Sequence, residues 1–247
     1  MSGASDYAPD LNGVATPTQE GAALRKPSIT SSIPVACLAI AILVALAGAA
    51  AAQQATIFIF ENSEPGKLPV GFVAGQTGPG APGRWELVAD PTAPSGMFVV
   101  GQLDAAKIAD RSALLMLDAV KAKNLSLSVR FKAIGGEADR TAGLVARHRD
   151  DNNYYLVSAD VLAANVRLYH VVDGVRAEIG SAPAKVTADE WHSLGLVAVG
   201  KDFQVNFDGE TLFEVEDDAI GEAGKVGLST EADSITYFDD LSIQPAN

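Results

Sequence analysis

The strongest constraint in this chain is a hydrophobic period of two that recurs from residue 53 to the C-terminus. Leu125, Leu127, Val129 and Phe131 alternate with Ser126, Ser128, Arg130 and Lys132, and Phe203, Val205 and Phe207 alternate with Gln204, Asn206 and Asp208. Successive side chains on a strand point to opposite faces, so such a run buries one face and leaves the other toward water. Leu194, Leu196 and Ala198 form a similar run, and Gly200-Lys201-Asp202 reads as the turn that follows it. Asp173-Gly174 and Asp208-Gly209 lie between β-rich runs and predict tight hairpins, because both central residues of the favoured two-residue turn take positive φ. Further strands are expected over residues 56–60, 98–100, 113–117, 143–148, 154–160, 166–172, 225–229 and 235–243. Many short strands without a sustained helical period predict an all-β fold, an antiparallel jelly-roll-like β-sandwich. Residues 61–96, rich in Gly and Pro, are expected to form a long ordered loop, and residues 105–109 a short helical turn.

The N-terminal part follows another pattern. Residues 1–32 are polar with no apolar period, the composition of a disordered stretch. Arg25-Lys26 then precede residues 33–52, the uncharged run IPVACLAIAILVALAGAAAA. A positive flank, an apolar stretch and a small-residue end make the three-part pattern of a signal peptide, which predicts an exported, periplasmic or extracellular protein. A helix rising about 1.5 Å per residue over this run also reaches the roughly 30 Å of a bilayer core. The alternative is therefore a membrane anchor with the sandwich outside the cytoplasm. Cys37 lies near the start of the run, where a small apolar filler is expected rather than a lipid-modified cysteine. The expected organisation is thus a disordered region over 1–32, a signal or anchor over 33–52 and one sandwich domain over 53–247.

Charge and cysteine content remove several function classes. With 18 Lys+Arg against 31 Asp+Glu the net charge is −13, which argues against a nucleic-acid partner. One cysteine and three scattered histidines leave no disulfide framework and no Cys/His zinc cluster.

The segments GLVARHRDDNNYYLVSAD, NVRLYHVVDGV, EWHSLGLVAVGKDFQVNFDGETLF and AGKVGLSTEADSITYFDDLSI resemble, in this order, laminin-G-like and concanavalin-A-like sandwich domains. The closest flavour is that of bacterial 3-keto-disaccharide hydrolase-type domains, and the resemblance runs from about residue 57 to 243. It implies a two-sheet sandwich and a carbohydrate-related role, while the same fold hosts lectins, adhesion modules and hydrolases. Arg147, ending GLVAR, matches the arginine of that group's Gly-φ-φ-φ-Arg strand. Where the group carries a Glu-x-Gln pair, this chain has Tyr155-Leu156-Val157.

No catalytic residues are assigned from the sequence. The acids Glu214, Glu216, Asp217 and Asp218 lack the Glu-x-Asp-x-x-Glu spacing of a retaining glycosidase and are expected in a solvated loop after Phe213. His148, His170 and His192 have no orienting partner at a recognisable spacing. Strand alternation instead places Arg147, Tyr154, Ser158, Asp160, Arg167 and Tyr169 on one outward face, a candidate row for glycan hydroxyls and ring faces. The bland alternative is an ordinary polar sheet face held by Arg–Tyr and Arg–Asp pairs. Several carbohydrate-binding sandwiches place an early acid beside a late Asp-Asp pair, and that resemblance makes Glu61, Asp239 and Asp240 candidate ligands for a structural Ca²⁺. The expected function is non-catalytic binding of a glycan or cell-envelope ligand. A glycoside hydrolase of the 3-keto-disaccharide type and a structural envelope or adhesion module are the alternatives.

Overall fold

The computed structural model describes residues 54–246. The expected disordered region, the apolar run 33–52 and Cys37 lie outside the described residues. Fifteen strands follow one another: β1 (Thr56–Phe58), β2 (Phe72–Thr77), β3 (Trp85–Ala89), β4 (Phe98–Gln102), β5 (Ser112–Ala122), β6 (Leu125–Gly135), β7 (Thr141–Asp150), β8 (Asn153–Asp160), β9 (Asn165–Val172), β10 (Val175–Pro183), β11 (His192–Val199), β12 (Asp202–Phe207), β13 (Glu210–Glu216), β14 (Gly224–Glu231) and β15 (Ile235–Pro245). Among the described residues no helix is long and apolar enough to cross a membrane.

The strands form two antiparallel sheets. The first runs β13-β12-β11-β6-β15-β4-β3, with β1 added on β15, and the second runs β10-β9-β8-β7-β14-β5-β2. Period-two alternation does what the sequence predicts: Leu125, Leu127, Val129 and Phe131 meet Leu144, Tyr155, Val157, Leu168 and Leu228 in one core between the sheets. Both Asp-Gly pairs make the expected turns, with φ of 50° and 78° at Asp173 and Gly174 and 48° and 86° at Asp208 and Gly209.

Three local expectations are corrected. Residues 61–96 contain β2 and β3, because FVAGQT is broken by a glycine and WELVA is only five residues long, so neither shows a sustained period. Residues 105–109 are not helical; Asp104 and Arg111 hold this segment through their side chains instead. The acidic stretch after Phe213 is not a free loop either. β13 continues to Glu216, and Asp217 accepts hydrogen bonds from Tyr155 Oη at 2.5 Å and pairs with His170 Nδ1 at 3.0 Å.

Candidate functional site

The outward face of the second sheet is strongly concave. Tyr154 on β8 and Thr77 on β2 are separated in the sheet by β7, β14 and β5, a span of about 19 Å on a flat sheet. Yet Tyr154 Oη and Thr77 Oγ1 are 2.8 Å apart, and Thr77 also donates to the carbonyl of Asp151. A second link spans β10 to β14, where Arg176 lies 2.7 Å from Glu231 Oε1 across β9, β8 and β7. The sheet must curl for either contact to form.

Curling fills the middle of the bowl. Leu114, Met116, Val145, Tyr154, Leu156, Tyr169 and Val171 make a second buried cluster on this face, separate from the main core. The alternation expected for β8 and β9 is therefore right in direction: Tyr154, Ser158, Asp160, Arg167 and Tyr169 all lie on the outward face. Their accessibility differs from the expectation. Tyr154 is 1% exposed, Ser158 5% and Tyr169 8%, so these three cannot form an open platform. Arg167 donates to Tyr169 Oη at 3.2 Å, and Asp160 accepts from the backbone N–H groups of Leu162 and Ala163.

Arg147 leaves the row altogether. A bulge between Ala146 and Asp150 gives Arg147 a φ of 49° and turns its side chain into the main core. There it is fully buried, with its guanidinium 4.9 Å from the Phe203 ring centre and 5.6 Å from that of Tyr155. It donates to the carbonyls of Lys123, Ile220 and Gly200 at 2.8, 3.0 and 2.7 Å. Strict alternation put it outside; the bulge breaks the parity of the strand and reverses that.

The open part of the bowl lies at the Glu231 end. A cavity of about 360 Å³ there is lined by Ser112, Asp139, Arg176 and Glu231, with Lys107 and Arg111 at its border. The Arg176 guanidinium sits 4.8 Å from the Tyr169 ring centre, so it covers the aromatic face a sugar would otherwise stack on. Burial, opposed by Arg176 and reinforced by Asp139 and Asp160, holds the Glu231 carboxyl above its usual range. Burial and Asp160 do the same to Asp139, against the pull of Arg176. The cavity thus offers a cationic fork and two carboxyl groups that hold protons more tightly than usual. Such a set can exchange hydrogen bonds with several hydroxyls of a polyol at once. Asp139, Arg176 and Glu231 were not singled out in the sequence. Glu231 lies two residues beyond the strand expected over 225–229, and nothing local showed that Arg176 would reach it.

The histidines also differ from expectation, since each has an aspartate partner. His148 pairs with Asp151 at 3.0 Å, His170 with Asp217 at 3.0 Å and His192 with Asp208 at 2.8 Å. His192 Nε2 in addition faces Thr187, and the ring stacks on Phe207, which is a packing role.

Two of the three proposed calcium ligands, Glu61 and Asp239, accept backbone hydrogen bonds. Glu61 Oε1 accepts from the N–H groups of Met97 and Phe98 at 2.8 and 2.7 Å. Asp239 accepts from Ser95 N–H at 3.0 Å and Asp240 N–H at 2.8 Å. Glu61 Oε1 and both Asp239 carboxylate oxygens thus face backbone donors, and among the described residues no group of three or more His, Cys, Asp or Glu is placed to hold a metal.

Comparison with known proteins agrees with this architecture. Residues 53–246 match the family model described as galactocerebrosidase, C-terminal lectin domain. No curated protein matches the chain. Among solved structures it is similar to a carbohydrate-binding module, CBM66, from Bacillus subtilis, with 14% identity, 70% of this chain and 95% of that one covered, and a TM-score of 0.57. It is also similar to the carbohydrate recognition domain of Emp47p, with 10% identity, 80% and 99% coverage and a TM-score of 0.53. At these identities the structural likeness shows the fold: the concanavalin-A-like sandwich that the sequence motifs resemble.

Proposed function

Because the chain belongs to the galactocerebrosidase C-terminal lectin domain family, we propose that it binds a glycan at the open end of its concave sheet and does not turn it over. The observation that carries this reading is the Arg176–Glu231 pair, with Asp139 beside it, at the mouth of a curved sheet. Fold likeness to a carbohydrate-binding module and a carbohydrate recognition domain supports it. Binding rests on polar groups, since Tyr154 and Tyr169 are buried and Arg176 lies over the Tyr169 ring. The non-catalytic part of the reading is motivated by the missing Glu-x-Gln pair at Tyr155-Leu156-Val157. The signal-like pattern of residues 33–52 motivates a place outside the cytoplasm, where such glycans are met.

A glycan array probed with the full chain, followed by calorimetry on the hits, tests the proposal. Binding that is lost in Arg176→Ala, with an unchanged circular dichroism spectrum, is the expected result. Release of sugar from any bound glycan would make the protein a hydrolase, and an empty array would leave a structural module.

A further inference from the structure

We propose that the cavity at Arg176 and Glu231 takes one neutral glycosyl unit at the end of a chain, and that no further sugar rings lie along the concave sheet. This rests on the glycan-binding reading above and narrows its ligand. A lectin that holds an internal chain segment needs a trough open at both ends. Here the sheet is bridged by Tyr154–Thr77 and by Arg176–Glu231, and the space between is filled by Leu114, Val145, Leu156 and their neighbours. Ser229, two residues before Glu231 on the same face of β14, is 1% exposed, and its hydroxyl has no hydrogen-bond partner. At that burial the hydroxyl lies beneath packed side chains, out of reach of a ligand ring. The end cavity holds about 360 Å³, near the lower limit of the roughly 300–1,000 Å³ typical of small-molecule sites.

Charge selects the kind of sugar. Each cation at the cavity already has an anionic partner: Lys107 has Glu137 at 2.5 Å, Arg111 has Asp104 at 2.5 Å and Arg176 has Glu231 at 2.7 Å. Asp110 and Asp139 have no such partner among the described residues, so with Glu137 and Asp104 counted beside the lining five acids stand around three cations, a surplus of negative charge. A carboxylated or sulfated sugar would meet that surplus without a free cation to receive it, whereas hydroxyl groups can donate to Asp139 and accept from Arg176.

The test uses depletion isotherms of the full chain on suspensions of neutral glucan, galactan, mannan and fructan, each intact and after partial internal cleavage. A polygalacturonate arm is run beside them. Binding capacity per milligram is expected to rise in proportion to the number of chain ends, with no retention on polygalacturonate. Arg176→Ala should weaken binding by about tenfold or more, whereas Gln204→Ala, on β12 of the other sheet, should bind as the wild type does. Capacity independent of the number of ends overturns the chain-end proposal and leaves glycan binding standing. Retention on polygalacturonate overturns the neutral-sugar part. No retention on any arm overturns the glycan-binding reading itself.

Discussion

Replacing Arg147 by methionine separates a structural from a ligand-binding role for the arginine that the sequence motif points to. Methionine keeps an unbranched apolar stem beside Phe203 and Tyr155 but removes the donors to the Lys123, Ile220 and Gly200 carbonyls. Hydrogen bonds from a charged group are worth about 1.5–3 kcal/mol each, and three made by one side chain do not add in full. The variant also escapes the penalty of a buried guanidinium, whose charge burial holds below the usual arginine range despite nearby Tyr155 and Asp217. A net loss of about 3 kcal/mol results, a large part of the 5–15 kcal/mol typical of a domain. With a urea slope of about 2 kcal/mol per molar, the unfolding midpoint should fall by roughly 1.5 M. Glycan affinity of the folded variant should be unchanged. A midpoint indistinguishable from the wild type, together with lost binding, would return Arg147 to the ligand surface and refute the inward placement.

Other consequences can be checked with the same material. Burial, opposed by the N–H groups of Ser95 and Asp240 and helped by the charges of Asp240 and Glu61, raises Asp239 from 3.8 to about 6. Between those values the folded chain keeps a proton that the unfolded chain releases, so this group's contribution to stability falls as pH rises. Asp239→Asn should therefore gain on the wild type between pH 4 and 6, by at most about 3 kcal/mol, in urea melts across that range; a constant difference would contradict the shift. Tyr154→Phe should lower stability by about 1 kcal/mol through its lost bond to Thr77, and a stabilised variant would deny the bridge. Because Glu61 and Asp239 already accept backbone N–H groups, melting temperatures in calcium and in chelator are expected to coincide. Stabilisation by calcium that disappears in Asp240→Ala would restore the cation cage.

What the sequence could show follows from the range of each interaction. Alternation over Leu125–Phe131 and the Asp173-Gly174 and Asp208-Gly209 turns are local, and they located most strands and the sandwich. The outward direction of Tyr154, Ser158, Arg167 and Tyr169 followed from the same period. Arg147 escaped because a bulge breaks parity within one strand, and no residue type announces the bulge. The curl of the second sheet escaped for a different reason. It is fixed by Tyr154–Thr77 and Arg176–Glu231, contacts between strands far apart in sequence, so neither the burial of the tyrosines nor the cavity at Glu231 could be read from a strand alone. His148–Asp151 is local, whereas Asp217 reaches His170 and Tyr155 only after β13 is placed.

The central claim, that glycan enters at the Glu231 end of the concave sheet, is tested most directly by amide chemical-shift mapping on the ¹⁵N-labelled chain titrated with a neutral oligosaccharide selected on the array. Shifts concentrated at Ser112, Asp139, Arg176 and Glu231, with β12 and β13 unaffected, are the predicted result. Shifts confined to the first sheet or to the loops around Glu61 and Asp240 would contradict it.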